Sequence, residues 1–297
     1  MTADETPQPP RPDALWCNGE WIDPAGFAAG VLDRSWTHGL GLFETMLGVD
    51  GRLAFAERHF TRLVEGCRRF GWEPPLPNPE MLAATAAELM VRTGLTRADV
   101  RIRLAVSGGA GSLADLTPGA DRMVWMTASP ATASPDPLEV AVSPWRRNEQ
   151  GALAGLKCAS YAENLVALDH ARRAGFGETL FLNTAGELCE AATANVFLVS
   201  GGGVRTPSLA SGCLPGIARG VVLGLLRASG QTCEEGRLTA ADLAAADEVF
   251  LTSAVRGPMA VARVDQRILP ARGVAKCLRE AWRLVVRQAI QRDYPEE

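Results

Sequence analysis

The stretch GLKCASYAENLVALDHARRAG, residues 155–175, places one lysine and one tyrosine in a chain that contains only two of each. The lysines are Lys157 and Lys276, the tyrosines are Tyr161 and Tyr294, and arginine supplies the rest of the 30 basic residues. A lysine amine can lose its proton and form a Schiff base, which a guanidinium cannot do. The small and apolar neighbours of Lys157 favour a lowered pKa and a nucleophilic amine, but they also fit a lysine whose stem lies along the surface. Lys276 lies on a predicted helix, and we expect it to be exposed.

The composition is that of an ordinary globular protein, with 297 residues, 47% hydrophobic and 22% charged. A net charge of −4 argues against a nucleic-acid or anionic-membrane partner, and no apolar run approaches the roughly 20 residues of a membrane helix. The seven cysteines form no CxxC pair, and no signal peptide precedes them, so we expect reduced thiols in the cytoplasm. Three separated histidines without an HExxH pattern predict no metal site.

The first half of the chain carries signals for both strands and helices. Residues 1–13 are polar and proline-rich and are predicted to be disordered. Asn18-Gly19 between short apolar runs predicts a hairpin, and two segments at helical spacing follow at 56–71 and 78–94. The alternating run DVRIRLAVSGG, residues 99–109, predicts a strand that carries Arg101 and Arg103 on one face.

The second half contains further strands and helices after a loop-rich connection. Residues 111–137 are rich in Gly, Pro, Ser and Asp around one short strand, and they best fit a domain connection. A helix is predicted at 162–173, and a long amphipathic helix at 271–292. The pattern predicts an α/β or α+β protein with a smaller N-terminal domain at 14–130 and a larger one at 131–297. The patches SGGAGS and SGGGV lack the context of nucleotide-binding loops and predict turns.

Six segments in fixed order resemble the class IV aminotransferases, the pyridoxal-phosphate enzymes of fold type IV. This family includes branched-chain and D-amino-acid aminotransferases and aminodeoxychorismate lyase. The resemblance implies a homodimer of two-domain subunits, with pyridoxal 5'-phosphate in the cleft between the domains. The segments are HGLGLFET (38–45), RHFTRL (58–63), GLKCASYAENLVALDHARRAG (155–175), CEAATANVFLV (189–199), GCLPGIAR (212–219) and DEVFLTSAVRG (247–257).

The resemblance implies a role for each matched residue. Lys157 would hold the cofactor as a Schiff base and then move protons at the α-carbon of the substrate. Glu190 would face the pyridine nitrogen and keep it protonated, which makes the ring a better electron sink. Arg62 would grip the phosphate, and the backbone amides of Ile217 and Ala218 would hold it at a helix start. Without the resemblance, a solvated hairpin residue would describe Glu187 better than Glu190, whereas Arg62 fits an exposed helix residue equally well.

Some positions depart from the family pattern. Ala218 and Ala254 stand where branched-chain enzymes carry hydroxyl residues, so the phosphate contacts are expected to use backbone amides and Ser253. Tyr161 follows the lysine by four residues rather than five, and it is the candidate partner of the phenolic oxygen of the cofactor. His38 stands where many members have a tyrosine. The segment SGGAG lacks the arginine that D-amino-acid aminotransferases and bacterial lyases often carry there.

The candidates for substrate binding are His38, Trp145, Arg101 and Arg103, each of which also fits a structural role. The spacing in LKCASYAENLVAL and the preceding RNEQGALAG look most similar to the lyase branch, which favours aminodeoxychorismate lyase, releasing pyruvate and 4-aminobenzoate. Arg101 and Arg103 would offer a fork to a dicarboxylic substrate. The alternatives are an aminotransferase that acts on a D- or branched-chain amino acid and a 2-oxo acid, and a non-catalytic relative that binds a small ligand or a protein partner.

Overall fold

The computed structural model describes residues 14–28, 30–132, 136–270 and 272–293, so the predicted tail at 1–13 lies outside the described residues. The helices are α1 (Arg34–His38), α2 (Ala56–Phe70), α3 (Pro79–Arg92), α4 (Ala162–Arg173), α5 (Ile217–Ala228), α6 (Ala240–Ala245) and α7 (Gly273–Asp293). The strands are β1 (Leu15–Cys17), β2 (Glu20–Ile22), β3 (Gly41–Val49), β4 (Arg52–Leu53), β5 (Val100–Ser107), β6 (Val124–Pro130), β7 (Leu138–Arg147), β8 (Glu178–Asn183), β9 (Leu188–Ala191), β10 (Asn195–Ser200), β11 (Gly203–Pro207), β12 (Cys233–Gly236), β13 (Glu248–Ser253), β14 (Gly257–Val264) and β15 (Arg267–Ile268).

The strands up to residue 130 form one antiparallel sheet in the order β2-β1-β6-β5-β3-β4. The predicted hairpin is confirmed, because β1 and β2 pair around Asn18 and Gly19, whose φ angles of 48° and 94° suit a tight hairpin turn. Helices α2 and α3 cover the sheet, and α3 begins at Asn78, whose side chain accepts a hydrogen bond from the amide of Met81. The core between the helices and the sheet is apolar and includes Met46.

The strands from residue 138 onward form a larger mixed sheet in the order β12-β11-β10-β13-β14-β7-β8-β9, with β15 beside β14. The parallel pair β7–β8 requires a crossover, which α4 provides. Helices α5 and α7 pack on this sheet, where Phe197 and Phe250 stack with ring centroids 4.8 Å apart. Mixed strands and helices in two sheets confirm the predicted fold class. No helix in the described ranges is both long and apolar enough to cross a bilayer.

An apolar cluster joins the two sheets. Leu47 and Phe55 from the first sheet region pack with Ile217 of α5 and with Trp282 and Val286 of α7. The rings of Phe55 and Trp282 lie 5.5 Å apart between centroids. Burial of this apolar surface fixes the sheets relative to each other, and the cleft described below opens beside it.

The loop that carries Lys157 is fixed to the first sheet by backbone hydrogen bonds. The amide of Phe43 donates to the carbonyl oxygen of Lys157 (3.0 Å), and the amide of Ala159 donates to Gly41 (2.8 Å). Arg69 of α2 holds the preceding turn, because its guanidinium donates to the carbonyl oxygens of residues 152 and 154. The lysine of the second half of the chain is therefore placed against β3 of the first half.

Candidate active site

A cleft of about 740 Å³ lies where the two sheets meet. Ten of the twelve residues that the sequence proposed for the cofactor and the substrate line it: Arg62, Arg101, Arg103, Lys157, Tyr161, Glu190, Ile217, Ala218, Ser253 and Ala254. The structure thus brings together residues that are up to about 190 positions apart in the sequence. The other two, His38 and Trp145, do not line it.

The amine of Lys157 lies over the ring of Phe43, with Nζ 4.3 Å from the ring centroid. Burial lowers the pKa of this amine to about 8, and the positive charges of Arg62 and Arg103 add to the effect. The carboxylates of Glu44 and Glu190 act in the opposite direction but do not outweigh it. A lysine with this pKa is neutral in a substantial fraction of molecules near neutral pH and can attack a carbonyl group.

Glu190 of β9 is largely buried in the cleft wall, with its side chain 13% exposed. The amide of Leu214 donates to its Oε2 (2.9 Å), and Arg147 Nη2 lies 3.8 Å from its Oε1. The pKa of Glu190 lies above its usual value because burial raises it more than Arg147, the Leu214 amide and Lys157 lower it. A buried carboxylate with an open side suits a positively charged ring nitrogen as a partner.

Arg147 was not among the predicted site residues, but it lines the cleft beside Glu190. Its Nη1 donates to Glu163 (2.6 Å) and Asn164 (3.2 Å), and its guanidinium stacks over the ring of Phe181 at 4.4 Å. Its Nε and Nη2 are buried, and they have no hydrogen-bond partner among the described residues. Two unsatisfied buried donors in a cleft wall indicate a place for a polar ligand atom.

The start of α5 lines the cleft with uncapped backbone amides. The helix has 12 residues, its N-cap is Gly216, and no side chain caps its first amides, so these donors are open to a ligand. A side chain at Gly216 would not fit, because a Cβ there would lie 2.0 Å from Asn195 Oδ1. The amides of Ile217 and Ala218, predicted to hold a phosphate, are at this helix start.

Arg62 is held beside the start of α5 by a buried carboxylate. Its Nε and Nη2 donate to the two oxygens of Glu44 (2.8 and 2.6 Å), and its Nη1 donates to the carbonyl oxygen of Pro215 (3.2 Å). Burial works against the charge of Glu44, but Arg62 and His59 bring its pKa down to about 2. Burial also lowers the pKa of His59, so a neutral imidazole completes the cluster. Arg62 is therefore not an exposed helix arginine, and its role toward phosphate stays a prediction.

Tyr161 lies at the start of α4, next to the lysine. Its hydroxyl donates to the carbonyl oxygen of Ala192 (2.6 Å), and its ring meets Phe43 edge-on at 5.4 Å. Burial raises the pKa of Tyr161, so the phenol stays protonated. The hydroxyl oxygen can still accept a hydrogen bond, and its assignment to the phenolic oxygen of the cofactor stays a prediction.

Further arginine side chains line the cleft. Arg256, in the turn between β13 and β14, donates to the hydroxyl groups of Ser253 (3.3 Å) and Thr193 (2.8 Å). Arg172 of α4 also lines the cleft. Across the whole cleft, the charged lining side chains are those of Arg62, Arg101, Arg103, Arg147, Lys157, Arg172 and Arg256 on the positive side and Glu163 and Glu190 on the negative side. The excess of positively charged side chains favours an anionic ligand.

His38 and Trp145 lie elsewhere on the surface. His38 ends α1, is exposed, and hydrogen-bonds with the hydroxyl of Thr37 (2.7 Å). Trp145 of β7 is 43% exposed and packs edge-on against His170 at 5.2 Å. Within one chain, neither side chain is placed to contact a ligand in this cleft.

Comparison with known proteins gives one consistent result. Residues 41–264 match the family model described as amino-transferase class IV. A putative branched-chain-amino-acid aminotransferase of Methanocaldococcus jannaschii is 28% identical over 86% of this chain and 89% of its own length. A bifunctional aminodeoxychorismate lyase / D-amino acid transaminase of Mycobacterium tuberculosis is 27% identical over 89% of this chain and 95% of its own length. The solved structure of a hypothetical aminotransferase from the same organism, in a PLP-bound form, superposes with a TM-score of 0.82 at 26% identity, covering 94% of this chain and 99% of the other.

Proposed function

The chain belongs to the class IV aminotransferases and is a pyridoxal 5'-phosphate enzyme, and we propose that it binds this cofactor in the cleft lined by Lys157 and Glu190. The observation that carries the proposal is the combination, in one cleft, of a lysine with a lowered pKa, a buried carboxylate and an uncapped helix start. These three groups fit the aldehyde, the pyridine nitrogen and the phosphate of this cofactor. The PLP-bound relative supports the same choice.

In this proposal, each part of the cofactor would have a partner in the cleft. Lys157 would bind it covalently, Glu190 would pair with the pyridine nitrogen, and the amides at the start of α5 would bind the phosphate together with Arg62. Arg147, with two unsatisfied buried donors, and Tyr161 would bind polar atoms on the ring between these ends. When bound, the cofactor supplies an electron sink for the charge that develops at the α-carbon of the substrate.

Lys157 would perform the proton transfers of the reaction. An amine with a pKa of about 8 exchanges protons readily near neutral pH, where both of its protonation states are populated. Arg103 would orient a carboxylate of the substrate close to this amine, since its guanidinium also lies over the ring of Phe43, 4.0 Å from the centroid. The ring of Phe43 thus supports both the base and the group that positions the substrate.

The reaction that we favour is aminodeoxychorismate lyase, which releases pyruvate and leaves 4-aminobenzoate. Its substrate carries two carboxylates, in agreement with the excess of arginine in the cleft, and the mycobacterial relative carries this activity in its name. The second candidate is transfer of an amino group from a D- or branched-chain amino acid to a 2-oxo acid, supported by the name of the archaeal relative. Both reactions begin with removal of a proton at the amino-bearing carbon, so the same lysine serves either one.

We also propose a cytoplasmic homodimer with domains at 14–130 and 131–297. The segment before α1 and α1 itself expose large apolar side chains, with Val31 85%, Leu32 71% and Trp36 69% exposed. A second copy of the chain would cover this surface, and His38 at the end of α1 would then lie in the interface. The dimer is tested by light scattering of the wild type and of Trp36→Glu, which should shift the mass toward that of the monomer.

A side-by-side assay tests the choice between the two reactions. The holoenzyme is supplied with aminodeoxychorismate, and 4-aminobenzoate and pyruvate are measured. In parallel it is supplied with a panel of L- and D-amino acids and a 2-oxo acid, and amino transfer is measured. Efficient amino transfer without any 4-aminobenzoate would overturn the lyase proposal and leave the cofactor proposal intact.

A further inference from the structure

We infer that Glu44 and His59 are positioning residues that turn the free edge of the Arg62 guanidinium toward the phosphate of the cofactor. The inference rests on the proposed function, which places that phosphate at the start of α5. It gives a role in cofactor binding to two buried side chains that do not themselves line the cleft. Neither would touch the cofactor, so both would act through Arg62.

The three side chains meet between α2 and β3. His59 and Arg62 are three residues apart on α2, and residues with this spacing lie on the same face of a helix. That face contacts the carboxylate of Glu44, which accepts three hydrogen bonds. Its Oε1 accepts from Arg62 Nε (2.8 Å), and its Oε2 accepts from Arg62 Nη2 (2.6 Å) and His59 Nδ1 (2.7 Å). The side chains of Glu44 and His59 are 1% exposed, and of the three residues Arg62 alone lines the cleft.

These contacts leave a defined part of Arg62 available to a ligand. A guanidinium has five N–H donors. Within the described part of the chain, three of them are used, by the two oxygens of Glu44 and by the carbonyl oxygen of Pro215, 3.2 Å from Nη1. One donor on Nη1 and one on Nη2 remain. Pro215 directly precedes Gly216, the N-cap of α5, so the guanidinium lies beside the uncapped amides of this helix.

His59 restrains the carboxylate of Glu44 in turn. An ionised carboxylate only accepts hydrogen bonds, so Nδ1 of His59 is the donor in this contact. Burial lowers the pKa of His59, and the neutral ring orients the carboxylate without adding a charge. Rotation of Glu44 away from Arg62 would leave the buried donor of His59 unpaired, which is unfavourable. The hydrogen bond from His59 therefore holds Glu44 in the position that orients Arg62.

The charge of Glu44 opposes phosphate binding, whereas its geometry favours it. Burial raises the pKa of Glu44, but Arg62 and His59 outweigh burial and hold it at about 2. The carboxylate is therefore ionised near neutral pH, and the pair of Arg62 and Glu44 carries no net charge. A site that attracted phosphate by charge alone would bind it more tightly without Glu44. The two effects have opposite signs in Glu44→Gln, so the phosphate affinity of this variant separates them.

The test compares the affinities of the cofactor-free protein for pyridoxal 5'-phosphate and for pyridoxal, which has the same aldehyde and no phosphate. Both are titrated by fluorescence, and the ratio of the two affinities cancels any effect of a variant on the Lys157 amine that both aldehydes meet. In Glu44→Gln, the amide offers one acceptor oxygen where the carboxylate offers two, so Arg62 loses its fixed orientation. We expect the preference for pyridoxal 5'-phosphate to fall at least about tenfold, as for the loss of one charge-assisted hydrogen bond.

The matched control for the change in charge is Glu65→Gln. Glu65 lies three residues after Arg62 on α2, is 52% exposed and pairs with Arg68, and its variant should keep the wild-type preference within about twofold. A second pair of variants tests His59. His59→Asn keeps an N–H donor at the position of Nδ1 and should keep the preference within about twofold, whereas His59→Leu has no donor and should lower it about threefold or more.

The outcomes separate the inference from the proposed function. An unchanged or increased preference in Glu44→Gln, or an equal fall in Glu44→Gln and Glu65→Gln, would overturn the inference and leave the proposed function intact. If Glu44→Gln does not fold, the His59 variants decide, and equal preferences in His59→Asn and His59→Leu would overturn the inference. A wild-type protein that binds pyridoxal as tightly as pyridoxal 5'-phosphate would refute the phosphate site of the proposed function and the inference with it.

Discussion

The lowered pKa of Lys157 predicts a large difference in reactivity between the two lysines of the chain. Burial first, and then Arg62 and Arg103, lower the pKa of its amine from 10.5 to about 8. At pH 7 the neutral fraction rises from about 0.03% to about 9%, so about 300-fold more amine is available to attack an aldehyde. Lys276 on α7 is exposed and serves as the internal reference.

The assay is reductive methylation of the cofactor-free protein with formaldehyde and cyanoborohydride, read by peptide mass spectrometry between pH 6 and 11. We expect the labelling of Lys157 to rise with a midpoint near pH 8, well below the ordinary lysine range, and Lys157 to be labelled faster than Lys276 at pH 8. Arg103→Gln removes a nearby positive charge and should move the midpoint of Lys157 upward. If the labelling of Lys157 rises only in the ordinary lysine range near pH 10.5, or if Arg103→Gln leaves the profile of Lys157 unchanged, the electrostatic reasoning is refuted.

Three further predictions concern stability and the two ends of the cofactor. Lys157→Met should stabilise the cofactor-free protein by about 3 kcal/mol at pH 7, because the pKa depressed from 10.5 to about 8 means that the charged amine is disfavoured in the fold. This penalty develops as the pH falls from about 10.5 to about 8, so urea unfolding at pH 10.5 should show almost no gain. Glu190→Gln keeps an acceptor for the Leu214 amide but removes the charge, and it should lower kcat by about 10²–10³-fold in steady-state assays with the cofactor still bound. Gly216→Ala forces a Cβ against Asn195 and should weaken cofactor binding at least about tenfold in a fluorescence titration, whereas Gly224→Ala on the same helix meets no atom within 4 Å and should bind as the wild type does.

The sequence predicts those elements that are buried on one face only, because their apolar residues recur with a regular period. The helix at 162–173 has the predicted bounds, and the hairpin at Asn18-Gly19 is confirmed. The strand β3 was not predicted, because both of its faces are covered and its residues show no alternation of apolar and polar side chains. Glu44 is the one charged residue in this mostly apolar run, and it is buried. That lone charge was the available sign in the sequence that the segment carries a functional residue.

Some residues of the candidate site were predicted from the sequence, and others were missed. Ten of the predicted site residues line one cleft; eight of them lie within the six matched segments, and Arg101 and Arg103 come from the predicted strand at 99–109. Arg147, Arg172 and Arg256 were missed because arginine is common in this chain, and only strand pairing and the α4 crossover bring these three to the cleft wall. Trp145 was named as a candidate for substrate binding, but its side chain packs against His170 at the surface.

The most direct test of the central claim is the covalent link between the cofactor and Lys157. The purified protein is incubated with pyridoxal 5'-phosphate, reduced with borohydride, digested and mapped by mass spectrometry. We predict a yellow protein whose absorption is bleached by borohydride, with a phosphopyridoxyl group on Lys157, and neither property in Lys157→Ala. A protein that stays colourless with added cofactor, or one in which the group is found on Lys276 instead, would contradict the account.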